Sequence, residues 1–179
     1  MDKIRITTQD AKIIFILGAF NMGGVQSNLV RVLPYLLQKG VHVTLLLVTD
    51  KIERSFLPYL AGVKIQFLKE YLPISNYALI NSSAILHSFT LDKKKIIRGF
   101  SGFTHVHAVD SETMILGHKV ARILNVPLSS GSYHPREFTW TASNCYFRDA
   151  QMLLYKQLPV ENRVFFNDGV AKETLTKVQ

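Results

Sequence analysis

The chain has 179 residues, 47% of them apolar and 19% charged, a composition that fits one folded domain and reads as globular rather than disordered. Its 21 Lys and Arg against 13 Asp and Glu leave a formal charge of +8. That balance favours an anionic partner (phosphate, nucleotide, nucleic acid or membrane surface) without choosing among them. A single cysteine, Cys145, excludes an internal disulfide, and no run reaches the roughly 18 apolar residues of a transmembrane helix. The opening "MDKIRITTQDAKII" also lacks an apolar core of signal-peptide length, so the expectation is a soluble or peripheral protein.

Strand-like and helix-like segments alternate along the chain. "KIIFILG" (12–18) is a continuous apolar run, as in a strand covered on both faces. From Val25 the period lengthens, and Leu29, Val32, Leu33, Leu36 and Leu37 fall on one helical face. Gly40 is placed to end that helix, and Pro34 inside it predicts a kink or an early break. Strands follow at 41–48 and 63–68, one or two helices within 74–100, and a strand at 104–110. A helix over 111–125 has Ser111 as its candidate N-cap. Strands at 126–132 and 162–168 and a last helix from Gly169 complete the pattern. This order predicts an α/β fold: a Rossmann-like, doubly wound, mostly parallel sheet with helices on both faces, in one domain over 1–179. Such sheets bind ligands beyond the carboxyl ends of their strands, which directs attention to loops 18–25, 49–55, 108–111 and 130–138.

The first of these loops reads "GAFNMGG". Gly23 and Gly24 stand where a strand hands over to a helix. Glycine permits positive φ and close approach to the backbone, and the helix start offers N–H groups and positive potential to an anion. A tight turn without a ligand explains the pair equally well. The spacing of Gly18, Gly23 and Gly24 fails the G-x-G-x-x-G fingerprint, and no Gly-Lys-Ser/Thr follows, so the usual dinucleotide and P-loop readings lose ground.

Three segments carry a resemblance: "FNMGGVQSNLVRVLPYLLQKGVHVTLLLV", "FTHVHAVDSETMILGHKVARILNVPLSSGSYH" and "NRVFFNDGVAKETLTK". In order and spacing the chain resembles the N-terminal domain of retaining glycosyltransferases of the GT-B fold, in the large family often called glycosyltransferase family 4. The first segment is similar to that family's strand–Gly-Gly–helix–strand opening. The second is similar to its His-containing strand, helix, "VP" and a strand ending near a histidine, and the third to its "RV" strand, short loop and helix. The resemblance implies a donor that is a nucleotide-diphosphate sugar, a glycan or lipid-linked acceptor, and no metal. It implies that Gly23 and Gly24 lie against the donor phosphates while this domain holds the acceptor. It also implies a second Rossmann domain, bearing most nucleotide contacts and a Glu-x7-Glu motif, supplied in cis or in trans. The sequence stops at Gln179, about where the linker to that domain would begin, so this chain is expected to be inactive alone. Localisation is then expected to be cytoplasmic, with peripheral contact at the inner face of the membrane as a further expectation.

Within the resemblance, His134 of "SGSYHPREF" matches the family's histidine near the donor sugar, where it would stabilise the reaction centre; locally it would cap a turn before Pro135. Arg136 and Glu137 would border the same cleft. Gln26 matches the family's Glu/Gln and either bonds the acceptor or caps the helix, and Asn21 has the same two readings. His105 and His107 share one strand face. With Asp110 they suggest a metal only weakly, since three converging ligands are needed. His107 and Asp110 either face the acceptor cleft or serve the fold. The basic run 91–100, "LDKKKIIRGF", either touches anionic lipid or is a solvated helix face, the reading the sequence favours. Phe138 and Trp140 belong to a lid or to the core, and Cys145 is an ordinary cysteine without a nucleophile motif. The alternative function is a non-catalytic phosphate- or protein-binding module on the same sheet. A nucleic acid is the least expected partner, because no RNA-binding aromatic motif, Cys/His finger or helix-turn-helix is present.

Overall fold

The central strand is β1 (Lys12–Leu17), whose sequence KIIFIL puts large apolar residues on both of its sides. A computed structural model describes residues 10–21, 23–73, 90–110, 113–132, 153–154, 156–159 and 162–165. In it β2 (His42–Leu47) and β4 (His105–Ala108) flank β1, β3 (Lys64–Phe67) lies beyond β2, and β5 (Leu128–Ser132) and β6 (Arg163–Phe165) lie beyond β4. The order is β3-β2-β1-β4-β5-β6, every pairing is parallel, and Phe15 stands beside Leu45 on one side and His107 on the other. This is the doubly wound order, with its switch point between β1 and β4.

Alternation along β1 divides the core. Phe15 and Leu17 pack with Val43, Leu45 and Leu47 under α1 (Gly24–Gln38), through Leu29 and Leu33, and under a 3-10 helix (Arg54–Leu60), through Phe56 and Leu60. Ile14 and Ile16 pack with Leu46, Val106, Ala108 and Leu128 under α2 (Lys93–Gly99) and α3 (Met114–Leu124). Helices therefore cover both faces, as the sequence pattern requires. Gly117 brings α3 close to the sheet: a Cβ there would lie 3.0 Å from Ala108 Cβ and 3.2 Å from Leu128 Cδ1.

Two helices end in the same way. Gly40 has φ +79°, with Gly40 N–H donating to Leu37 O at 2.9 Å and Val41 N–H to Leu36 O at 3.0 Å. Asn125 has φ 55°, and Val126 N–H donates to Ala121 O at 3.1 Å. Both are Schellman-type ends, the first at the glycine expected from sequence.

Several element limits differ from the sequence reading. The helix does not break early at Pro34 but continues to Gln38. α3 begins at Met114 after Thr113, rather than at Ser111, which lies outside the described residues. The strands are shorter than the apolar runs containing them, because Val48 and Val109 remain buried and bonded to Leu17 O and Ile16 O past the strand ends. The 3-10 helices Arg54–Leu60 and Leu68–Tyr71 were not anticipated. The predicted last helix and most of segment 74–100 outside α2 lie outside the described residues.

Candidate functional site

The crevice at the switch point is bordered by the loops after β1 and β4. The β1 loop leaves the strand on a scaffold. Gly18 O accepts from Thr49 N–H at 3.0 Å, Phe20 N–H donates to Lys51 O at 3.0 Å, and Glu53 N–H donates to Phe20 O at 2.8 Å. Phe20 is fully buried and meets Phe56 edge to face, with ring centroids 5.3 Å apart. Only the tip, with Asn21, Gly23 and Gly24, is exposed.

Neither glycine of the pair is there for positive φ, and only Gly23 is crowded. Gly23 is extended (φ 178°, ψ 164°), and neither it nor Gly24 is among the positive-φ residues described. A Cβ at Gly23 would lie 2.6 Å from Gln26 Oε1, whereas at Gly24 and Gly18 nothing among the described residues comes within 4 Å. Gln26 Nε2 donates to Ala19 O at 3.1 Å, so this side chain clasps the loop base to the first turn of α1. Ser27 N–H and Oγ both donate to Gly23 O, at 3.0 and 2.9 Å. The first turn of α1 therefore starts at this tip, where no atom of the described residues would meet a Cβ at Gly24, with the positive end of a 15-residue helix behind it.

Across the switch point, Asp110 follows β4 and precedes α3. Its Oδ1 accepts from Thr113 N–H at 2.9 Å and lies 2.9 Å from Thr113 Oγ1, while Asp110 N–H faces Thr113 Oγ1 at 3.4 Å. The two residues thus bond each other reciprocally, as in a capping box, ahead of the first turn of α3. The buried Thr113 hydroxyl also lies 3.1 Å from Ile16 O, on β1. One side chain thus joins the end of β1 to the start of α3.

His105 and His107 do share one face, as their spacing predicts, and both meet the same hydroxyl on β5. His105 Nε2 is 2.7 Å and His107 Nδ1 2.8 Å from Ser129 Oγ. His107 is buried, and its ring meets Phe15 edge to face at 5.1 Å. Burial, and secondarily the neighbouring His105, lowers the His107 pKa to about 4; burial lowers that of His105 as well. Both rings are therefore neutral near pH 7. A hydroxyl has one proton, so Ser129 donates to one ring and accepts an N–H from the other.

The structure thus places Asn21, Gly23 and Gly24 after β1 and Asp110 after β4, on the two strands that flank the switch point, and keeps His107 in the interior, bonded to Ser129. Gln26 is used within its own loop. His134 and Arg136 lie outside the described residues. Among the described residues, no group of three or more His, Cys, Asp or Glu can hold a metal ion. Thr113 and Ser129 were missed by sequence reasoning. The Asp-x-x-Thr pattern "DSET" would have revealed the first; only the register between β4 and β5 reveals the second.

Solved structures share this fold. HepE of Anabaena, in complex with UDP and glucose, matches with a TM-score of 0.55 at 13% identity, over 89% of this chain and 45% of HepE. Its complex with UDP-glucose matches with a TM-score of 0.52 at 13% identity, over 88% of this chain and 44% of HepE. The two proteins share a Rossmann-like fold. At this identity the likeness extends to the fold alone, and the chain spans less than half the length of HepE. No protein-family model matches the sequence, and no curated protein matches it.

Proposed function

We propose that this chain is the N-terminal, acceptor-binding half of a retaining glycosyltransferase that uses a nucleotide-diphosphate sugar. The observation that carries the reading is the β1–α1 junction. It combines a glycine tip held on a hydrogen-bonded scaffold and the start of a long helix at the switch point of a 3-2-1-4-5-6 sheet. A departing diphosphate carries negative charge, and oriented backbone N–H groups stabilise it without a metal cation. HepE, of like fold, was solved with UDP-glucose, which supports this donor class.

In this reading Gly23 and Gly24 lie against the donor phosphates, and Asn21 and Asp110 border the acceptor cleft. His134 and Arg136 complete the reaction centre. The acceptor is a glycan or a lipid-linked sugar. A second Rossmann domain, in cis or in trans, supplies the nucleotide contacts, so the chain by itself turns over no sugar nucleotide.

The test is a titration of the chain with UDP and UDP-glucose, followed by backbone amide shifts. Weak binding at millimolar ligand, with shifts concentrated at Gly23, Gly24 and Val25 and abolished by Gly24→Glu, is expected. Shifts centred elsewhere, or turnover by the isolated chain, would contradict the reading.

A further inference from the structure

We propose that Gln26 is a positioning residue for the diphosphate: its side-chain amide holds both ends of the glycine tip in place before the ligand arrives. The inference takes its ligand from the sugar-transfer reading, while its geometry stands without it.

The segment after β1 is held from two sides. On one side lies the chain that continues β2. Gly18 O accepts from Thr49 N–H at 3.0 Å and from Thr49 Oγ1 at 3.3 Å, and Phe20 bonds Lys51 O and Glu53 N–H through its backbone. Ala19, between them, is half-buried, and its carbonyl has no backbone donor among the described residues. It accepts instead from Gln26 Nε2, at 3.1 Å. A carbonyl oxygen left bare in a part-buried place is costly, and this bond covers it.

The other end of the same amide governs Gly23. Gln26 Oε1 lies 2.6 Å, and Gln26 Cδ 3.6 Å, from where a Cβ on Gly23 would stand, and no other atom of the described residues comes within 4 Å. The backbone at Gly23 is extended, with φ 178°, which any residue adopts. Glycine is therefore required at position 23 by the folded side chain of Gln26 and not by the main chain. Ser27 N–H and Oγ complete the hold by donating to Gly23 O.

This way of ordering the tip suits an anion. The usual N-cap is a Ser, Thr, Asp or Asn side chain that accepts a first-turn N–H, and so spends a donor an anion could use. Here the N-cap is Gly23, and no side-chain cap bond is present among the described residues. Gln26 bonds with its own side-chain N–H to a carbonyl, so it orders the loop without spending any N–H of the first turn. A tip already ordered loses less freedom when the ligand binds, which is an affinity gain without a new contact.

Two measurements test this. In the chain without ligand, the two Nε2 protons of Gln26 should differ widely in chemical shift, because one is bonded to Ala19 O. Gly23→Ala should draw them together, as the new Cβ displaces Oε1 and opens that bond. In a titration with UDP, Gln26→Ala and Gly23→Ala should each weaken binding roughly fivefold, the worth of about one net hydrogen bond. The double variant G23A/Q26A should bind no more weakly than Q26A, because both changes remove the same contact. Gln38→Ala, at the other end of α1, should bind as the parent does. Losses that multiply in the double variant, Nε2 protons indifferent to Gly23→Ala, or parental binding by Q26A would each overturn the proposal. A parent chain that shows no UDP-dependent shift at Gly23, Gly24 or Val25 overturns the sugar-transfer reading and the ligand role of Gln26 with it, and the Nε2 protons then decide the clasp alone.

Discussion

The two faces of the sheet are built from different chemistry. Beneath α1, the strand residues Phe15, Leu17, Leu45 and Leu47 share their layer with His105, His107 and Ser129. Beneath α2 and α3, the buried strand residues Ile14, Ile16, Leu46, Val106, Ala108 and Leu128 include nothing that titrates. The helices reverse the contrast: among those described, α2 and α3 carry six Lys and Arg and α1 carries one. Polar groups in an interior must be bonded to one another, and their state depends on protons. Charges on a surface respond to salt and to anionic partners. The α1 face, with two histidines bonded in its interior, should therefore be the more acid-sensitive one, while on the α2–α3 face His118 adds a smaller contribution of the same direction.

The contrast breaks most readily at Ser129. Ser129→Ala leaves two ring nitrogens of buried or half-buried histidines without their partner, and should cost about 2–5 kcal/mol in urea unfolding. The next effect is acid sensitivity. The folded-state pKa of His107, about 4, lies below the ordinary 6.5, so the unfolded chain binds the proton more tightly. Stability is full above pH 6.5 and is lost as the pH falls towards 4; between pH 7 and pH 5 the loss should be on the order of 2 kcal/mol. His105 acts in the same direction. His107→Leu should flatten this slope, and a slope unchanged in that variant would move its origin to another group.

On the opposite face, Gly117→Val should cost about 1–3 kcal/mol by pushing α3 off Ala108 and Leu128, with no added pH dependence. The smallest effect belongs to the helix ends. Gly40→Ala should cost about 1 kcal/mol because of its left-handed φ, while Asn125→Gly should change thermal stability little.

Much of this architecture is legible in the sequence, for a physical reason. Parallel strands buried on both faces appear as unbroken apolar runs, and "KIIFIL" and "HVTLLL" are such runs. Their limits are less legible, because Val48 and Val109 are as buried as strand residues although they stand beyond the strand ends. The 3-10 helix RSFLPYL, with Pro58 inside it, has no helical period to detect. Gly23 and Gly24 were recognisable as a turn at the site, but not why glycine stands there, since the crowding at position 23 comes from Gln26 folding back over the loop. Period-two spacing placed His105 and His107 on one face, yet their partner is 22 residues beyond His107 and depends on strand register.

The lacing of Phe20 to Lys51 and Glu53 has a mechanical consequence. A load applied at Asn21 meets two backbone bonds and the Phe20–Phe56 ring contact before it can bend β1. The tip and the Arg54–Leu60 helix therefore form one lever, and the amides of Phe20 and Glu53 should exchange with solvent at a common rate that slows together when an anion sits at Gly24.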